Sequence, residues 1–178
     1  MDDVKNLIDA LTLCIPQLDP EPLLAQPPAS TSELDVLQWM ADHLEQQELL
    51  VYEEWKEYDG WLPDLRSLSG IDRSAFDSSF VLGLMEDINW EEVDPDLVYT
   101  LPYELPHLEY MNFFLRDHGL RLVDLLYENA YIFCVKDDAQ KIELLHESLQ
   151  KFGIGINLRD AMDQQSVKAY IKDLLRAQ

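Results

Sequence analysis

Lysine and arginine are scarce in this sequence: thirteen of them stand against thirty-five acids, for a formal charge of -22. A surface of that sign repels phosphate backbones, which argues against direct nucleic-acid binding and for a basic protein as partner. Cysteine is nearly absent. Cys14 and Cys134 lie far apart and belong to no C-x-x-C pair, so neither a zinc site nor a disulfide framework is expected; each sits among apolar neighbours as a small hydrophobe. No apolar run reaches the roughly 18 residues of a membrane span. The N-terminal MDDVKNLIDALTLCIPQ is acidic where a signal peptide is basic, and a cytoplasmic bacterial protein is the expectation.

What the sequence does contain is enough apolar material for a core. With 47% hydrophobic residues over 178 positions, one cooperative domain spanning 1–178 is expected. Val4, Leu7, Ile8, Leu11 and Cys14 fall near helical spacing, which predicts a helix within 1–15 that stops at Pro16. The connector 16–31, PQLDPEPLLAQPPAST, has five prolines in sixteen residues. That density predicts no regular structure, only an extended segment on the body or a loose tether. The main body is 32–178. Ser32 and Asp35 resemble a capping box, followed by Leu34, Leu37, Ala41 and Leu44, so a helix runs from about Glu33 to Glu48. LLVYEEW fits either a continuation of that helix or a strand. Arg73 to Met85 reads as a helix with Phe76, Phe80 and Leu84 aligned.

The C-terminal half is more sharply marked. Pro106 suits a helix start, Leu108, Met111 and Leu115 form its stripe, and Gly119 suits the position just past its end. LRLVDLL and AYIFCV flank a short turn at 127–129, and the second of these is apolar enough to lie inside a sheet. Asp137 or Asp138 caps a helix ended by Gly153, IGINL returns to the sheet, and Val167, Ile171 and Leu174 face a closing helix. The order predicts an α+β fold: N-terminal helices packed on a small mixed, partly antiparallel sheet, with β-β-α-β-α in the C-terminal half.

Local motifs for chemistry are weak. The acid pairs Glu53/Glu54, Glu91/Glu92 and Asp94/Asp96 lack any sign of the sequestered pocket that would split their pKa values. Asp94-Pro-Asp96 lacks the remaining ligands of a calcium loop. None of His43, His107, His118 and His146 is spaced i, i+4 from another, as a two-histidine zinc face requires. Ser69 before Gly70 reads as a turn, Cys134 as an inert buried thiol, and GIG at 153–155 follows a helix instead of opening one. The reading is non-enzymatic, with no cofactor.

The charge is unevenly spread. Residues 33–109 hold twenty acids and three bases, whereas 110–178 hold ten and nine. Within that middle, Trp55, Trp61, Trp90, Tyr99, Tyr103 and Tyr110 are interleaved with Glu53, Glu54, Glu57, Asp59, Asp64, Glu91, Glu92, Asp94 and Asp96. Aromatic anchors in a field of one sign fit a protein-docking face, because rings supply contact energy and charges steer the encounter. The alternative is rings in the core and carboxylates facing solvent. The stretch LPYELPHLEYMNFFLRDHGLRLVDLLYENAYIFCVKDD with LLHESLQKFGIGI resembles a family of uncharacterised bacterial proteins and covers about half the chain; it implies structure and no catalytic residues. In size and acidity the chain is also similar to bacterial immunity proteins. That likeness implies a binder that neutralises a toxin, with a DNA mimic, or an enzyme or small-ligand protein with a cleft between sheet and N-terminal helices, as alternatives.

Overall fold

The structure, a computed structural model, describes residues 2–127 and 129–176. Four strands, β1 (Leu50–Glu53), β2 (Leu120–Leu125), β3 (Ala130–Lys136) and β4 (Ile156–Asn157), form one sheet in the order β1-β3-β2-β4. Every pairing is antiparallel, so the sheet is not mixed. The register sets Phe133 opposite Leu50 and Val123, and Ile132 opposite Val51 and Asp124. AYIFCV is thus a central strand, and its side chains are divided between two cores.

One face carries Val123, Leu125, Phe133 and Val135, covered by α1 (Asp2–Cys14), α3 (Glu33–Gln46) and α7 (Ala139–Gln150). The other carries Leu122, Ala130, Ile132 and Cys134. It is covered by α6 (His107–Leu115) and by Trp55, Tyr58, Leu62, Leu65 and Leu68 of the long connection after β1. A smaller third cluster joins α4 (Phe80–Gly83), α5 (Pro95–Glu104) and α8 (Gln164–Arg176) through Val81, Met85, Leu101, Val167 and Ile171. Together they make a single α+β domain.

Local signals explain most boundaries. The Ser32 hydroxyl accepts from the Asp35 backbone N–H, opening α3, and Asp138 accepts from those of Gln140 and Lys141, opening α7. Gly119 closes the α6 region at φ 68, where a β-carbon would be strained. The ambiguous LLVYEEW becomes the edge strand β1 because β3 pairs with it.

Two further expectations are corrected. The proline-rich connector is neither wholly irregular nor a tether. It contains one helical unit, α2 (Glu21–Ala25), which has Pro22 in its first turn and buries Leu23, and the Trp39 indole N–H donates to Gln26 O at 2.6 Å. The helix expected over Arg73 to Met85 is two short pieces, a 3-10 turn at Arg73–Ala75 and α4. Asp72 and Asp77 break it, since each side chain accepts the N–H two residues on, from Ser74 and Ser79. The acidic, proline-containing stretch around residue 100 is the helix α5, opened by Asp94 accepting from Asp96 N–H and by Pro95 in its first turn. Pro102 sits near the end of α5, where its missing N–H costs one late bond instead of breaking the helix. No helix among the described residues is long and apolar enough to cross a membrane.

Candidate functional site

Two segments carry the predicted residues. The first leaves the end of β1, with Glu53 half-buried and Glu54, Glu57, Asp59 and Trp61 exposed. The second holds Trp90, Glu91, Glu92, Asp94 and Asp96, then α5 with Tyr99 and Tyr103, all exposed. They meet at one observed contact: Lys56 Nζ stands over the Tyr99 ring, 4.2 Å from its centroid. That distance is within cation–π range and joins the two acidic segments across more than forty residues of chain.

The carboxylates of this face are not neutralised. The ion pairs found are Lys5–Asp9, Arg73–Asp64, Arg116–Asp117, Arg121–Asp137, Lys141–Asp138, Lys151–Asp3 and Arg159 with Glu109 and Asp124. Among the described residues, Glu53, Glu54, Glu57, Asp59, Glu91, Glu92, Asp94 and Asp96 take part in none of them. Among the described residues, Arg159 of the last third reaches Glu109 at the end of the middle, the other ion-paired bases of that third serve their own region or α1, and of the three bases of the middle only Arg73 forms an ion pair. Burial, and then the charge of Glu57, raise the pKa of Glu53.

The rings divide. Tyr99 is 68% exposed, Trp90 41%, Tyr103 39% and Trp61 38%. Trp55 is not part of the face. At 7% exposure it belongs to the core under β3, edge-on to Tyr58 and with the Arg159 guanidinium 4.9 Å from its ring. It turns inward because an aromatic two residues past an edge strand can reach the apolar face of the next strand. Tyr110 is half-buried against Phe76 and Phe80.

Beneath the face is a support. Tyr58 donates to Trp61 O at 2.7 Å and touches Trp61, Trp55 and the buried His107 ring. Burial holds His107 down to about 4, with Asp59 opposing. Gly60, at φ 79, lies against His107 so closely that a β-carbon there would overlap the ring. The backbone that presents Asp59 and Trp61 is thereby fixed.

Sequence reasoning missed a second polar centre. Arg159, itself at φ 49, donates to Asp124 Oδ1 at 2.7 Å and to Glu109 Oε1 at 3.2 Å, and its carbonyl accepts from Asn112 Nδ2 at 2.7 Å. Asn112 also bonds both backbone groups of Leu122. Burial raises the pKa of both Asp124 and Glu109 against the lowering by Arg159. The one sequence signal was Asp124 inside an apolar strand, a buried charge that requires a partner. The partner itself could not be read off locally.

The chemistry sought elsewhere is not assembled at this face. Cys134 and Cys14 are buried, and desolvation pushes their thiols up to about 12 and about 11. Among the described residues, no group of three or more His, Cys, Asp or Glu side chains is placed to hold a metal. His107 and His118 do not converge: the first is buried under Tyr58, the second is exposed beside Phe114. Two grooves of about 330 and 450 Å³ flank the strap Pro27–Ala29, one beside Asp35, Asp42 and His43, the other beside Val4, Ile8 and Leu23. No protein-family model, no curated protein and no solved structure matches the chain.

Proposed function

We propose that this chain is a non-enzymatic binding protein whose acidic, aromatic face docks on a basic protein, acting as an immunity protein that blocks a bacterial toxin in the cytoplasm. The observation that carries the reading is that eight carboxylates, on two segments joined at the Lys56–Tyr99 contact, take part in none of the ion pairs found among the described residues, while Trp61, Trp90, Tyr99 and Tyr103 of the same segments are exposed. Ordinary surfaces mix charge signs and pair many of them. With Lys56 the one cation in these two segments, the face stays negative for a partner to neutralise. Rings at the centre would then lose water and supply affinity, while the acids set the encounter rate and its salt dependence.

The test is charge reversal. A chain carrying Glu91→Lys, Glu92→Lys, Asp94→Lys and Asp96→Lys should no longer capture the basic protein that the unaltered chain draws from its native cell extract at low salt. Raising the salt should release that protein from the unaltered chain. Co-expression with the product of the adjacent gene then tests the inhibitory role: growth restored by the unaltered chain and not by the reversed one supports it. Capture that survives both reversal and high salt removes the face from consideration.

A further inference from the structure

The acidic middle has three bases, and two of them are tied down. Arg66 donates to Gln17 O at 2.8 Å. Arg73 donates to Leu62 O, Pro63 O and Asp64. Lys56 is different. Glu53, Glu54, Glu57 and Asp59 are its immediate neighbours in the chain, yet its ammonium pairs with no described carboxylate and lies over the exposed Tyr99 ring. An ammonium offered several carboxylates and found on an aromatic face marks that face as a favourable place for a cation. The surrounding unpaired acids strengthen it by raising the local concentration of positive groups.

We infer that the Tyr99 ring is the recognition seat for a lysine or arginine side chain of the basic partner, filled in the free protein by Lys56, which swings away when the partner binds. This rests on the docking reading above. Lys56 is exposed on a flexible four-carbon stem, so leaving the ring requires rotamer changes only. Tyr99 stands on α5 at 68% exposure, so an incoming side chain reaches it without any backbone movement. Lys56 therefore acts as an internal competitor that weakens binding of any weakly matched cation.

The probe is a hexalysine peptide titrated calorimetrically at low salt into the full chain, Lys56→Met, Tyr99→Leu and the double variant. Removing Lys56 should tighten binding by about two- to five-fold, the range of one exposed cation–π contact. Tyr99→Leu alone should change little, because the ring is already taken, but in the Lys56→Met background it should remove most of the gain. Removing a positive charge from an acidic face also tightens binding by simple electrostatics, and that gain survives loss of the ring. The cycle separates the two effects. A gain of undiminished size in the double variant, or no gain at all, overturns the seat while salt-sensitive peptide binding leaves the docking face standing. If hexalysine binds none of the four chains, the docking reading fails with it. Both positions are exposed, and matching far-UV circular dichroism establishes that all four chains are folded.

Discussion

Glu109 and Asp124 are packed against Arg159 between α6, β2 and the segment before α8, with side-chain exposures of 13% and 5%. Glu91, Glu92, Asp94 and Asp96, the same two residue types, stand in water at the start of α5 without a cation among the described residues. The first set is held because each buried oxygen must find a donor, and its loss would strand charge in the core. The second set, apart from the cap that Asp94 gives α5, is free because its oxygens are exposed to water. Acidity in this protein therefore has two meanings, one structural and one available for recognition, and burial separates them.

The sharpest way to break that contrast is Arg159→Met. It leaves two buried carboxylates unpaired and should cost about 3–5 kcal/mol in urea unfolding. Reversal of the four exposed acids sets the opposite limit. Trp55→Ala should cost a similar ~3–5 kcal/mol as a core truncation, while Trp90→Ala should stay within about 0.5 kcal/mol. Equal losses at the two tryptophans would show that Trp90 is core and not face. Asn112→Ala strands the N–H and C=O of Leu122 and should cost about 1–3 kcal/mol, with hydrogen exchange at Leu122 speeding up.

The next effect depends on pH. His107 titrates near 4 when folded and near the ordinary 6.5 when unfolded, so the folded state favours the neutral ring. Its contribution is complete above about pH 6.5 and is lost as pH falls toward about 4. The difference in unfolding free energy between the unaltered chain and His107→Gln should shrink over that window. A flat difference would contradict a buried neutral imidazole. Glu109 and Asp124, raised by burial, act in the opposite direction, which is why the difference between variants is the quantity to read. The smallest effect is expected from reversing Glu91, Glu92 and Asp96, within about 0.5 kcal/mol per site, whereas Asp94→Lys also removes the cap of α5 and should cost about 1 kcal/mol.

Much of the sheet half was legible because its signals are short-ranged. Asp138 and Ser32 cap within three residues, Gly119 ends a helix, and AYIFCV is too apolar to sit anywhere but between strands. The acidic half was less legible, since the prolines and aspartates that suggest loops can also start a helix, as Asp94 and Pro95 do, or interrupt one, as Asp72 and Asp77 do. The acids and rings of the proposed face were named from charge and ring content alone. Trp55 was misplaced on it because its interleaving with acids is the same as that of Trp61, and no pattern two residues long tells an inward ring from an outward one.

The chain alone determined the sign of the surface, the helix caps, the central strand and the scarcity of cations in the middle stretch, since each depends on composition or on neighbours a few residues apart. Tertiary structure decided which carboxylates are structural. Arg159 reaches Asp124 across 35 positions and Glu109 across 50, and Lys56 meets Tyr99 only after α5 folds against the body. Pairing and burial depend on distance in space, and a linear pattern carries no record of that distance.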